Sequence, residues 1–425
     1  MIKFLFKGLM RDRSRSLFPV LVVMSGVMMT VMIQSWMEGA MGDFISTYAN
    51  FNSGHVKIMS RAYARESDKI PNDLAYIGVE SLLRNLRRDY PDMVWTPRIR
   101  FGGLLDIPDE SGETRAQGPA VGLAVDLFSR SSPEYRLLNL DKSVVQGRLP
   151  QNPGEILLSD DFARRLGVKL GETATLISST MYGSMATSNF IVVGTVHFGV
   201  SAMDRGAMMA DISDVQTALD MQDAAGEVLG FLSDFLFNHS LTASAAASFN
   251  ERNSRLDDEF SPVMVPLRDQ FGGFGFMIDI VDYISAMFIA FFVVVMSIVL
   301  WNAGLLATLR RYGEIGVRLA IGESKGHVYR TLLLESLMIG IIGSFIGTAL
   351  GLAFAYFFQA KGLNIGALMQ RSSIMTPDVM RTRVTSITYI IGFAPGVLAT
   401  FLGTAISGIG VYKRKTSQLM KDLEV

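Results

Sequence analysis

The side chains able to do chemistry in this sequence are few and scattered. There is no Cys, so a thiolate nucleophile, a thiolate-held metal and a disulfide framework are all excluded. The four His, at 55, 197, 239 and 327, share no metal-ligand spacing and read as satisfied or surface histidines. Asp257, Asp258 and Glu259 form one acidic cluster, and Asp211 with Asp214 another. A solvated face or a helix cap accounts for both. No G-x-x-x-x-G-K-[ST] occurs, and "FGGFGF" and "RFGGLL" lack the helix start that cradling a phosphate requires. Ser297, Ser344 and Ser407 lie in apolar runs that hold no His to act as their base, so no intramembrane hydrolase is assembled. What remains is mechanical rather than catalytic. In "LRRYGEIGVRLAIGESKGHVYR" (309–330), Arg311, Glu314 and Arg318 fall at i, i+3 and i+7 and make one charged stripe on a helix. Ile315 and Leu319, four apart, make an apolar stripe beside it. Gly322 ends this helix and Ser324 caps the next. Such a helix either serves as a handle for a soluble partner or anchors its neighbours at an interface.

The elements that position this segment are set by hydropathy. Hydrophobic residues make up 49% of the 425, charged residues 19%, and the mean hydropathy is +0.31. Intrinsic disorder is excluded by that balance. Lys plus Arg (39) matches Asp plus Glu (40), so the basic excess of a nucleic-acid binder is missing and no nucleic acid is expected as a partner. Four stretches, 17–37, 283–309, 336–360 and 384–412, contain no Asp, Glu, Lys or Arg. At about 1.5 Å per residue each is long enough to cross a hydrocarbon core of about 30 Å. The first exceeds a usual signal-peptide run, and "WMEGAMGD" is a poor cleavage site, so it reads as an uncleaved anchor.

Charge in the short flanks sets the orientation. Lys3, Lys7, Arg11, Arg13 and Arg15 precede the first stretch; Arg310, Arg311, Arg318 and Lys325 lie between the second and third; Lys413, Arg414, Lys415 and Lys421 follow the fourth. With four crossings these flanks share one side, and the positive-inside bias makes it cytoplasmic. Lys361, Arg371, Arg381 and Arg383 fall on the other side and weigh against it. The expected fold is therefore an α-helical membrane protein with four transmembrane helices (1+3) and a large α+β extracytoplasmic domain inserted between helices one and two. The segments are a cytoplasmic N-terminus (1–16), helix one (17–39), the inserted domain (40–275), helix two (277–309), a cytoplasmic loop (310–329), helix three (330–360), an external loop (361–383), helix four (384–412) and a cytoplasmic tail (413–425).

Within the insert, "GHVKIMS", "MVWTPRIRFGGLLDI", "GPAVGLAV", "EILLS", "ETATLIS" and "NFIVVGTVHF" read as strands. "IGVESLLRNLRRDYP", "SDDFARRLGV" and "SLTASAAASFNERNSRLDDEF" read as helices. In the membrane stretches, Gly343, Gly347 and Gly351 repeat every four residues, as do Gly392 and Gly396. Small residues at that spacing let helix backbones approach closely, within one chain or between two copies. Pro395 should kink or break the fourth helix.

With these features together, the sequence resembles the FtsX-like permease family of ABC transporters, which includes MacB-type exporters and the LolC/LolE lipoprotein-releasing subunits. The loop matches the family pattern at Arg310, Arg311, Glu314, Ile315, Gly316, Arg318 and Gly322; Tyr312 and Gly313 depart from it, and Gly322-Glu323-Ser324 replaces the usual Gly-Ala-Ser. "PGEILLSDDFARRLGVKLGETATL" (153–176) and "FIVVGTVHFGVSAMDRGAMMADISDVQTAL" (190–219) are similar to the family's periplasmic core domain, and "SGHVKI" (53–58) to its lipoprotein-releasing branch. The resemblance implies that 310–329, with Leu319 among its contacts, is a coupling helix for a separate ABC ATPase subunit, which would hold ATP and Mg while this chain binds no cofactor. It also implies a second permease subunit, in a homo- or heterodimer, in the inner membrane, with a periplasmic adaptor or lipoprotein carrier as a further partner. The implied function is non-enzymatic: mechanotransmission for lipoprotein release or for export of a peptide or drug-like substrate. The alternative is an FtsX-like signalling scaffold that activates an extracytoplasmic partner such as a cell-wall hydrolase.

Overall fold

The computed structural model describes residues 13–198, 204–254, 258–270, 274–310, 317–364 and 379–413. Its longer helices are α1 (Arg13–Tyr48), α2 (Val79–Asp89), α3 (Asp160–Leu166), α4 (Ile212–Ala218), α5 (His239–Asn253), α6 (Phe274–Arg310), α7 (Lys325–Lys361) and α8 (Phe393–Lys413). The chain separates into two compact units, one from 1–42, 279–363 and 380–425, the other from 43–278 with 364–379.

The first unit is helical. Among the described residues, three helical segments are long and apolar enough to cross a membrane: Leu17–Ser53, Lys325–Lys361 and Thr388–Gly408. A shorter apolar stretch, Ala286–Asn302, lies inside the 37-residue α6. The last crossing is interrupted. A helical turn, Thr388–Ile391, gives way at Gly392 to α8, and Pro395 falls in the first turn of α8. The break thus lies just before the proline rather than at it. In a first turn the backbone N–H that proline lacks has no intrahelical acceptor, so nothing is lost.

The second unit is built on one mixed ten-stranded sheet, with a separate two-stranded pair. Its strands are β1 (Val56–Ser60), β2 (Tyr76–Ile77), β3 (Met93–Pro108), β4 (Thr114–Val125), β5 (Val144–Gly147), β6 (Glu155–Ser159), β7 (Thr173–Ser179), β8 (Met185–Val196), β9 (Ala207–Asp211), β10 (Ala224–Ala225), β11 (Glu227–Leu232) and β12 (Pro262–Pro266). β2 and β10 make the separate pair; in the large sheet the order is β12-β1-β11-β3-β4-β9-β6-β8-β5, and β7 joins β3 to β8. That last pairing closes β3, β4, β9, β6, β8 and β7 into a ring, which leaves no open edge among them. Long β3 makes the closure possible: residues 93–98 pair with β11, 99–108 with β4, and Leu104–Asp106 also with β7. Among the described strands, β4–β9 and β6–β8 pair parallel and the rest antiparallel. The six strands expected from sequence are all present; β2, β5, β9, β10, β11 and β12 were not expected. β9 and β11 are buried at every position, as are the expected β1 and β6, so burial does not separate the strands that were read from those that were not.

Two apolar layers lie on this sheet. The larger gathers Trp95, Phe101, Leu105, Phe162, Leu176 and Phe190. The other contains Phe51, Leu127, Leu229 and Phe231, with Phe44, Ile45 and Tyr48 from the last turns of α1 packed against it. Charges are buried as well. Arg98 grips Glu134 through two hydrogen bonds of 2.8 and 2.7 Å, and Thr96 donates to the same carboxylate at 2.8 Å. Lys57 donates to Glu227 at 2.8 Å, and Glu227 stands directly opposite Arg98 in register. Each charge needs its partner, because an isolated ion in such a layer is prohibitive.

Candidate coupling segment and membrane helix interface

Residues 317–320 form one helical turn before α7. Its end has a defined geometry. Gly322 N donates to Leu319 O at 3.2 Å and Glu323 N to Arg318 O at 3.0 Å. This pair of bonds is a Schellman motif, and Gly322 occupies its left-handed position at φ +99°. A Cβ there would be strained, which is why Gly is the residue that stops the helix. Two residues on, the Ser324 hydroxyl accepts from His327 N at 3.3 Å and caps α7. Arg318 and Glu323, the residues that the motif joins, also approach through their side chains at 3.6 Å, and His327 lies 3.6 Å from Glu323. Leu319 packs on buried Val328 in the first turns of α7. The turn therefore leans on α7 through Leu319 while Val317 and Ile321, four residues apart, face outward at 51% and 81% exposure. Arg310 ends α6; Arg311, Glu314, Ile315 and Gly316 lie outside the described residues.

The start of α7 is tied to the end of α8. Tyr329 Oη donates to Ala405 O at 3.3 Å, and Gly408 leaves room for the Tyr329 ring. Further along, α7 carries two parallel ridges of small residues. On the first, Gly343, Gly347 and Gly351 receive Val23, Val27 and Val31 of α1. A Cβ added at these glycines would lie 2.8, 2.9 and 2.8 Å from the respective valine Cβ atoms. All three valines are fully buried. Valine suits the task because its branched side chain has essentially one rotamer in a helix and makes a stiff knob. On the second ridge, a hydroxyl meets a glycine across to antiparallel α8 and the break before it: Gly340 of α7 faces Thr400, Ser344 faces Gly396 and Thr348 faces Gly392. Val27 reaches this groove too, 2.7 Å from a Cβ at Gly392 and 2.8 Å from one at Gly396. Of the five glycines at 343, 347, 351, 392 and 396, three (Gly347, Gly392 and Gly396) thus meet around the one side chain of Val27, while Gly343 and Gly351 receive Val23 and Val31. Sequence reasoning missed Val27, Ser344, Thr348 and Thr400. The signal available was the second four-residue series in α7, Ser336-Gly340-Ser344-Thr348, matched by Gly392-Gly396-Thr400 in α8. Contact with α6 is made through Met296 at Gly26 and Leu300 at Gly403.

Known proteins match this arrangement in both of its parts. The family model for the MacB-like periplasmic core domain matches residues 16–245, and that for the FtsX-like permease C-terminal region matches residues 286–416. The chain belongs to the MacB/FtsX-type permease family. The probable export ATP-binding/permease protein MacB of Pseudomonas entomophila (strain L48) is 23% identical over 406 residues, covering 91% of this chain and 55% of that protein. This chain therefore spans about half the length of that relative. The macrolide export ATP-binding/permease protein MacB of Rhodopseudomonas palustris (strain BisB18) is 30% identical over 109 residues, 26% of this chain and 16% of that protein. The crystal structure of the periplasmic region of MacB from Actinobacillus actinomycetemcomitans aligns with a TM-score of 0.34 at 13% identity, over 52% of this chain and 91% of that one.

Proposed function

We propose that the protein is the permease subunit of an ABC transporter and works as a mechanical transmitter in the cytoplasmic (inner) membrane. The 310–329 segment docks on a separate ATPase subunit that holds ATP and Mg. The four helices, in a pair with a second permease subunit, carry the resulting displacement to a core domain on the periplasmic side. The observation that carries this reading is the outward-facing Val317–Ile321 pair on a turn braced against α7 by Leu319 and Val328. Two branched apolar side chains left uncovered beside Arg318 suit a groove on a soluble partner. Family membership supports the rest, and the sequence itself contains no phosphate-cradling loop. The MacB-like core domain favours transport over the switching of an external hydrolase. The export named for the MacB relatives is the first substrate class to test, with lipoprotein release the second.

The test measures ATP hydrolysis by the purified permease–ATPase complex. Burial of a Val or Ile side chain stabilises an interface by about 1.5–3 kcal/mol, and about 1.4 kcal/mol is tenfold in affinity. Ile321→Asp should therefore weaken ATPase binding by more than about tenfold and uncouple hydrolysis from transport, as should Glu314→Ala with Arg318→Ala. Unchanged binding and coupling in both variants would contradict the docking role.

A further inference from the structure

The groove between α1 and α7 repeats, and the repeat leaves its own register undetermined. Val23, Val27 and Val31 seat at Gly343, Gly347 and Gly351 with a constant offset. Continuing the same four-residue step would pair Ser35 with Ala355, and both are buried. Four residues of helix rise roughly 6 Å, so a shift by that distance returns valines to glycines: Val23 to Gly347 and Val27 to Gly351. Val31 would then meet Ala355, one methyl larger than glycine. The rungs themselves are held by van der Waals contact, which favours close seating without choosing one rung over the next.

A short strap makes the choice. Residues 381–384 cross α1 at Ser35–Gly42 and the last turns of α7. Thr382 Oγ1 donates to Ala355 O on α7 at 2.6 Å, and Arg383 N donates to Ser35 O on α1 at 2.8 Å. Val384 N donates to Gln359 Oε1 on α7 at 3.3 Å. Two glycines of α1 let the strap lie close: Gly39 faces the Arg381 carbonyl, and Gly42 faces the Arg383 guanidinium, 2.6 Å from where a Cβ would be. A four-residue shift brings Val31 O to Arg383 N in place of Ser35 O, so that bond can re-form and the choice of register is steric. The same shift brings Ser35 and Glu38 to the places where Gly39 faces the Arg381 carbonyl and Gly42 the Arg383 guanidinium, and their side chains do not fit beneath the strap as it lies.

We propose that strap 381–384 is a register latch: it holds α1 on one rung of a ladder whose rungs are nearly alike, and its release lets α1 advance one helical turn along α7. The device belongs to the membrane helices alone and operates without nucleotide or partner, so it stands or falls separately from the docking of 310–329. Ala355 biases the resting register without blocking the shifted one.

The absence of native Cys allows engineered pairs to be read without background. In the full chain in membranes, Ser35→Cys with Ala355→Cys reports the resting rung, and Val31→Cys with Ala355→Cys the shifted one. With the strap intact, a membrane-permeant oxidant should cross-link the first pair and leave the second largely unlinked. Thr382→Val removes the hydroxyl donor, and Gly39→Ala places a methyl against the Arg381 carbonyl. Gly39→Ala adds helix propensity to α1, so it tests the latch without weakening that helix. Each variant should raise cross-linking of the Val31 pair relative to the Ser35 pair by tenfold or more. A ratio unchanged in both variants would overturn the latch. So would equal cross-linking of both pairs with the strap intact, or loss of both cross-links in the strap variants, which would mean that the helices part rather than shift.

Discussion

Val27 is the residue on which three helices of the membrane unit converge. Its side chain fills space that Gly347, Gly392 and Gly396 leave open, and a larger knob has nowhere to go. Overpacking of a closed interface costs about 1–3 kcal/mol, so Val27→Phe should lower the detergent melting temperature of the chain, whereas Val27→Ile should cost less. In the core domain, the decisive residues are the buried ions. Glu134→Ala leaves Arg98 without its carboxylate, a loss of about 3–5 kcal/mol. That predicts a drop of on the order of 10 °C in the midpoint of the core domain's thermal transition. His55 adds a pH dependence. It is buried between Phe231 and Phe237, its Nδ1 accepts from Leu232 N at 3.1 Å, and burial lowers its pKa from 6.5 to about 4. The unfolded chain then binds the proton more readily than the folded one. Stability is unaffected by this group above about pH 6.5 and falls as the pH drops toward 4, by about 3 kcal/mol in all. Denaturant titrations at pH 7 and pH 4.5 should show the loss, and His55→Gln should flatten it. None of these three residues announces itself in the sequence. A valine in an apolar run, a glutamate in a loop and a lone histidine are unremarkable until the fold surrounds them.

Among the elements, the legible ones were those with a local signature. α3 begins after Ser159 and ends at Gly167 with φ +63°, as its cap residues imply, and "EILLS" is a strand over its full length. Asp211, one of an acidic pair, accepts from Ser213 N and caps α4. The closure of six strands into a ring depends on β3 pairing with different partners along its length, which no local pattern encodes. The glycine series in α7 marked a surface for close approach but not its occupant; the stiff valine series that occupies it lies more than three hundred residues away in sequence. This interface should tolerate no added bulk. Gly347→Leu would place a side chain where Val27 and the Met24 carbonyl already sit, and should abolish cross-linking of the Ser35→Cys/Ala355→Cys pair. Retention of that cross-link at its original rate would mean that α1 is held elsewhere. The Gly322 stop was legible for the same reason as Gly167: a left-handed residue after a helix is a local requirement.

At the scale of the molecule, the described residues make two units: an apolar helical one, and a closed β domain with charges in its core, into whose second layer Phe44, Ile45 and Tyr48 pack. The proposed transmitter requires the 310–329 segment and the core domain to occupy opposite compartments. The most direct measurement is the compartment of two single cysteines introduced one at a time into the Cys-free chain: Ile321→Cys, on the exposed turn, and Tyr182→Cys, on the exposed β7–β8 loop. In intact cells, an impermeant thiol reagent should label Tyr182→Cys once it passes the outer envelope and should reach Ile321→Cys only after the cytoplasmic membrane is opened. Labelling of both before that membrane is opened, or of neither until it is, would contradict the account.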